Sequence, residues 1–252
     1  MSKTLRSPVE TLRISRAAAI PDLTACIGLQ KAVWEFSPDD AVPEQVFIVA
    51  DRTGGHVFLA YDRNQPIGFA LAFAAFRDGR PYLHSHMVGV LKDYRDRGVG
   101  RSLKLAQRNE ALARGIDLIE WTFDVLQLKN AHFNIGCLGA IVRRYIPNLY
   151  GRTTSPLHGG LPTDRLVAEW WVSSPRVKSL LEGIPSHIPA TRARIAIPAN
   201  ILDVCRDEPR TAEGIQAQAR ASFEYWTERR YAVTGFELKE NEGHYLLEPY
   251  ED

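Results

Sequence analysis

Residues 81–104, PYLHSHMVGVLKDYRDRGVGRSLK, constrain the fold more than any other stretch of the chain. Pro81 to Leu91 reads as a β-strand. By a period of two, Tyr82, His84, His86, Val88 and Val90 take one face, and Leu83, Ser85, Met87 and Gly89 the other. Arg95-Asp96-Arg97-Gly98-Val99-Gly100 then turns the chain, and a helix is expected from near Arg101. Glycines here let successive N–H groups face outward. The helix adds its unpaired first-turn N–H groups and the positive end of its dipole. Strand, glycine turn and helix N-terminus together suit an anion, a pyrophosphate above all.

The flanking sequence extends this unit in both directions. Thr11–Arg16 reads as a first strand. Pro21-Asp22 opens a helix to about Val33, Trp34 to Asp40 breaks it, and Pro43 starts a second helix. Val57–Tyr61 and Ile67–Phe76 read as strands joined by a hairpin turn, and their poor alternation suits a sheet covered on both faces. The helix after the glycine turn, Arg101 to Arg114, carries Ser102, Leu105, Ala106, Asn109, Leu112 and Ala113 at helical spacing, with Gly115 as its C-terminal cap. Ile116–Asp124 is the next strand, and a strand–helix–strand unit of this length implies a parallel pair. A helix over Lys129–Cys137 and strands at Ile141–Tyr145 and Leu166–Val172 follow. The loop between those strands holds His158-Gly159-Gly160 and reads either as a connector or as a substrate-facing segment.

Beyond Val172 the chain carries a short strand, Ala193–Ile197, and a long helix, Thr211–Arg230, with Ile215, Ala219, Phe223 and Trp226 on one face. A closing hairpin, Tyr231–Leu238 and His244–Leu247, completes it. The fold class is α/β with a mixed sheet. Residues 1–172 form the first domain, and residues 173–252 an α+β extension packed on the core or at a homodimer interface.

Composition narrows the partners. Lys and Arg number 31 against 30 Asp and Glu, which gives no field for nucleic acid or a membrane surface. The 3 cysteines are widely spaced, without a CxxC, which fits neither a zinc site nor a disulfide framework. With no signal-type or membrane-length apolar run, a cytoplasmic location is expected.

The stretch VGVLKDYRDRGVGRSL resembles the acyl-CoA signature of the GNAT superfamily of N-acyltransferases, whose core is Gln or Arg, any two residues, Gly, any one, then Gly or Ala. The resemblance covers roughly residues 11–172 and implies a core with splayed central parallel strands. It implies that the turn holds the CoA pyrophosphate while the strand before it pairs with the pantetheine arm. The contacts so implied are Val88, Val90, Arg95, Arg97, Gly98, Val99, Gly100 and Arg101, with Asn130 on the later helix. Arg101 and Lys104 are placed for a 3′-phosphate. The donor is then acetyl-CoA or another acyl-CoA such as succinyl-CoA, and the acceptor a primary amine of a small molecule or amino acid. A GNAT-fold module that binds acyl-CoA without turnover is the rival from another class. The loop between the first two helices helps form the acceptor pocket in this family, so Trp34 and Phe36 either line that pocket or pack in the core. Leu138-Gly139-Ala140 resembles the Leu-Gly-Phe that closes the family's fourth helix, and Ala131 also matches.

Acyl transfer from a thioester to an amine needs a base, because an alkyl ammonium ionises near ~10. The family commonly supplies it from the signature strand; this chain offers His84 and His86 there, which are either the base or polar fill beside the sheet. His86 is the first choice and Glu35 a further candidate. Aligning on Leu138-Gly139 puts Ile135 where the family has its acidic tyrosine, so Tyr145, Tyr94 or a water would have to protonate the leaving thiolate. Asp124, Gln127 and Lys129 lie near Asn130 and either touch substrate or cap the helix. His132 and the pairs Arg143-Arg144 and Arg229-Arg230 read as surface.

Overall fold

The computed structural model describes residues 7–17, 19–35, 41–151, 160–184 and 192–250. Phe36, His158 and Gly159, named above, lie outside the described residues. The chain divides into two compact units, Met1–Ile119 and Glu120–Asp252.

In the first unit, β1 (Leu12–Arg16), β2 (His56–Asp62), β3 (Gln65–Arg77) and β4 (Arg80–Val90) lie side by side in chain order, each antiparallel to the next. The β3–β4 turn uses Asp78 and Gly79, both at positive φ (51° and 77°), the backbone that a two-residue hairpin requires. Helices α1 (Ile20–Trp34) and α2 (Glu44–Arg52) cover one face through Leu23, Cys26, Leu29 and Phe47, which pack with Phe69, Leu71 and Met87. Helix α3 (Val99–Ala113) covers the other through Val99 and Leu103, against Phe58, Ala60, Ile67 and Ala70. β2 and β3 are thus apolar on both faces because both faces are buried.

The face that α3 buries is not the expected one. Val99, Leu103, Lys104, Gln107 and Ala111 are buried, whereas Asn109 and Leu112 are exposed. Ser102, Leu105 and Ala106 instead line a shallow groove with Ile14 and Phe58. The apolar spacing misled because Lys104 and Gln107 are buried as polar groups, each with a polar partner waiting on β4. The end of α3 is as expected: Gly115 is left-handed at φ 66°, and the N–H groups of Gly115 and Ile116 donate to Leu112 and Ala111 carbonyls.

The second unit orders its strands β5 (Leu118–Asp124), β7 (Arg165–Trp171), β6 (Ile141–Ile146), β9 (Tyr231–Leu238), β10 (Glu242–Pro249) and β8 (Ala193–Pro198). Between β5 and β6, α4 (Leu128–Ala131) runs into a π-helical turn, His132–Cys137. Past β7 come α5 (Pro175–Leu181), α6 (Ile201–Asp207) and α7 (Pro209–Glu228). Helix α7 buries Ala212, Gln216, Ala219 and Phe223, with Ile215 and Trp226 flanking them half-buried. Its Arg220 forks onto Asp164 at 2.8 and 2.9 Å, and Tyr245 of β10 donates to the Val125 carbonyl at 2.7 Å. Residues 173–252 are therefore tied into the second unit by buried polar bonds as well as by the β6–β9 pairing.

Candidate functional site

The glycine turn is built by three devices. Asp96 and Gly98 are left-handed, at φ 60° and 85°, so the chain reverses within a few residues. Arg95 fastens the turn, donating from Nε to the Val90 carbonyl at 3.0 Å and from Nη2 to the Val33 carbonyl at 3.2 Å. Arg97 donates to the Ser7 carbonyl at 2.9 Å. Gly98 is the N-cap residue of α3, and the first-turn N–H groups beyond it have no acceptor within the helix. A Cβ on Gly98 would meet nothing within 4 Å, and one on Gly100 only Val90 Cγ2 at 4.0 Å. The space outside the turn is open, as an anion approaching those N–H groups requires. Val99 differs, because its side chain is buried in the core and only its backbone faces the turn.

The strand that feeds the turn departs from strict alternation. Leu71 of β3 pairs with Met87 and Ala72 with Ser85, so His86 is an extra residue, a β-bulge. Val88 and Val90 pack on the α3 side, and Ser85 also turns toward α3. His86 does not share their face, contrary to expectation. Its ring packs at 5.4 Å on Phe73, a residue of the α1/α2 side, and lies 6.0 Å from the His84 ring. His86 is exposed at the sheet surface, and partial desolvation beside its neighbours holds its pKa below the ordinary value of 6.5, so the neutral, proton-accepting form prevails at pH 7.

Around this pair the other first-unit candidates take distinct places. Trp34 lies over Gly89, where a Cβ would come within 2.9 Å of its ring, and meets Phe69 edge-on at 5.8 Å. Glu35 ends α1 in a left-handed conformation at φ 54° and is exposed. The Tyr94 hydroxyl donates to Asp62 at 3.2 Å. Arg101 is half-buried just inside the helix. Lys104, expected to reach a 3′-phosphate, does not face the turn. It is 3% exposed beneath the sheet, and burial holds its pKa well below the usual lysine range. Its Nζ donates to Ser85 Oγ at 2.8 Å, and Ser85 in turn donates to Gln107 Oε1 at 2.8 Å. This buried polar chain went unread in the sequence, because nothing local distinguishes a buried lysine from a surface one.

In the second unit, Asn130 is exposed on α4. Tyr145 stacks at 5.4 Å on Phe223, and its hydroxyl donates to the buried Asp164 carboxylate. Burial, then that carboxylate, raises its pKa, so it surrenders a proton less readily. Ile135 is fully buried. Arg143 and Arg144, expected on a solvated face, instead pair with the buried Glu169 and Glu120. Asp124 accepts from the Leu126 N–H at 2.9 Å and pairs with Arg165 at 3.3 Å. His132 is exposed, with Nε2 3.6 Å from the Cys137 thiol. Among the described residues no cluster of His, Cys, Asp or Glu could hold a metal ion, and no helix is long and apolar enough to cross a membrane.

Comparison with known proteins agrees with this geometry. The sequence profile described as the Acetyltransferase (GNAT) family matches residues 24–133. A GNAT-family protein from Desulfovibrio desulfuricans superposes with a TM-score of 0.53 at 14% identity, covering 64% of this chain and 99% of that one. The ribosomal-protein-S18-alanine N-acetyltransferase of Escherichia coli gives 0.52 at 18% identity, over 65% and 95% of the two chains. The yncA protein of Salmonella typhimurium, solved with its cofactor acetyl-CoA, gives 0.51 at 17%, over 66% and 98%. Among curated proteins no sequence matches the chain. At these identities the structural likeness is one of fold, and it agrees with the profile. Over residues 24–133 the chain is thus similar to the GNAT-family acetyltransferases.

Proposed function

We propose that the protein is an N-acyltransferase that moves an acyl group, acetyl in the first instance, from acyl-CoA to a primary amine of a small molecule or amino acid. One observation carries this reading. The left-handed Gly98 and the open flank of Gly100 present the N-terminus of α3 at the end of the strand that bears His84 and His86. The turn N–H groups would hold the pyrophosphate, and Val88, Val90, Arg95, Arg97, Val99, Arg101 and Asn130 remain the other proposed acyl-CoA contacts. Acetyl-CoA bound to the Salmonella neighbour is in keeping with such a donor.

In this reading His86 removes the proton from the acceptor ammonium, directly or through a water, with His84 and Glu35 as the next candidates. The amine attacks the thioester carbonyl, a C–N bond forms, the C–S bond breaks, and CoA leaves as its thiolate. A thiol ionises near ~8.5, so this leaving group needs little acid assistance and can take its proton from solvent. That suits a chain in which the Tyr94 and Tyr145 hydroxyls are engaged with Asp62 and Asp164. The same engagement, with Ile135 in the core, favours as the second reading a module that binds acyl-CoA without turnover.

A screen of thiol release separates the two. Acetyl-, propionyl- and succinyl-CoA are each incubated with amino acids, polyamines and peptides. The enzyme reading expects amine-dependent release for at least one pair. Tight acyl-CoA binding with no release for any pair would favour the binding module.

A further inference from the structure

The two faces of the second unit's sheet differ in character. On one, Trp121 and Trp170 meet edge-on at 6.0 Å and Tyr145 stacks on Phe223 of α7. The other is charged. Glu120 and Asp124 of β5, Arg165 and Glu169 of β7, and Arg143 and Arg144 of β6 meet across it. Successive residues of a regular strand point to opposite faces, so Arg143 and Arg144 should not share a partner. A β-bulge lets them. Val142 pairs with Ala168 and Arg144 with Val167, which leaves Arg143 as an extra residue. Both guanidinium groups then act on Glu169: Arg143 donates from Nε to Oε2 at 2.8 Å, and Arg144 Nε lies 3.6 Å from Oε1. Arg144 also donates from Nη2 to Glu120.

The carboxylates and guanidinium groups of β6 and its neighbours are not equally reachable. The side chains of Glu120 and Glu169 are 4% and 2% exposed, against 23% for Arg143 and 40% for Arg144. Solvent therefore meets the cations, and the anions lie beneath them. Buried ion pairs contribute little net stability, because desolvation offsets their attraction. What this arrangement provides is a guanidinium held from below by two carboxylates with its outer side in water, preorganised for an incoming anion. A guanidinium fork matches a planar carboxylate. Three arginines face three acids here, so the site suits a single negative charge better than a phosphate dianion. The exposed Tyr150, its hydroxyl 3.1 Å from that of Thr122, adds a further polar group to this face, two residues along β5 from Glu120.

We propose that Arg144 receives the carboxylate of an amino acid on this face of the second unit, and that this amino acid is the acceptor of the acyl group. The second clause rests on the N-acyltransferase reading; the first does not.

Calorimetric titration of the full chain, with CoA present, reads binding apart from turnover. The probes are both enantiomers of the common amino acids and the carboxamide of each. At least one free amino acid should bind, and its uncharged carboxamide at least about 10-fold more weakly. Arg144→Gln should weaken that amino acid by a similar factor, and Arg144→Lys, which keeps the charge but not the fork, should fall between. In turnover of the same amino acid, Arg144→Gln should raise KM at least about 10-fold, with acyl-CoA affinity changed by less than about 3-fold. Should Arg144→Gln fail to fold over the stranded Glu120 carboxylate, Arg144→Gln with Glu120→Gln removes that charge and is read in the same way. Binding of no amino acid, equal binding of acid and carboxamide, or unchanged affinity in the folded variant overturns the carboxylate site. Thiol release with amines that lack a carboxylate would then leave the acyltransferase reading standing. A loss confined to acyl-CoA affinity overturns the proposal as well, by assigning Arg144 to the donor. Arg144-dependent binding of an amino acid without thiol release supports the carboxylate site and overturns its role in acyl transfer.

Discussion

The His86 ring meets that of Phe73 at 5.4 Å, close to edge-on, on the side of the sheet that α1 and α2 cover. Partial desolvation lowers the imidazole's pKa, and the contact marks the face of β4 on which His86, the proposed base, lies. His86→Ala should therefore reduce turnover by roughly 10²-fold while leaving acyl-CoA affinity nearly unchanged. In the wild type, kcat/KM should fall as pH drops through a midpoint below about 6.5, because protonation removes the base. The variant should lack that limb. Steady-state rates from pH 5 to 9 check both statements.

His56 supplies a pH effect of a different kind. It is fully buried, and desolvation, then the charges of Arg16, Arg114 and Lys104, push its pKa down to about 3. A histidine with a depressed folded-state pKa contributes stability that is complete above its unfolded value, near 6.5, and is lost as pH falls toward the folded value. Between pH 7 and pH 5 the loss amounts to about 2 kcal/mol. His56→Leu should remove that component. Denaturant melts of both proteins at the two pH values should show the wild type losing about 2 kcal/mol more than the variant.

The Asp164 carboxylate is fully buried and receives the Tyr145 hydroxyl, both Arg220 contacts and the Asn148 N–H at 2.9 Å. Asp164→Ala should cost about 3–5 kcal/mol, since it strands a guanidinium and a phenol together. For the same reason truncation after Ser174, which removes Arg220, Phe223 and Tyr245, should give insoluble or molten protein. Thermal unfolding of the variant and gel filtration of the truncate measure these outcomes.

Much of this organisation was legible in the sequence because it is local. Gly98 and Gly100 announce the turn, and Gly115 the end of α3, each through backbone chemistry that neighbouring residues do not alter. The His86 bulge was not legible. Leu83, Ser85, Met87 and Gly89 are all buried, so the strand shows an unbroken period of two in burial although the faces exchange partway along it. The buried face of α3 was hidden for a related reason. Lys104 and Gln107 are buried polar residues that meet Ser85 of β4, a pairing their own helix does not announce. Tyr145 was a reasonable acid by type, but its partners Asp164 and Arg220 come from a loop and from α7.

The turn itself gives the most direct test. Gly100 has ordinary backbone angles and open space at its Cβ, and an acidic residue in the first turn of a helix is favourable to the dipole. Gly100→Asp should therefore fold with at least wild-type stability while setting a carboxylate against the proposed pyrophosphate position. Calorimetric titration of acetyl-CoA into both proteins should show an affinity loss on the order of 10²-fold in the variant at an unchanged Tm. Equal affinity in the two folded proteins would contradict the assignment of this turn as the acyl-CoA site.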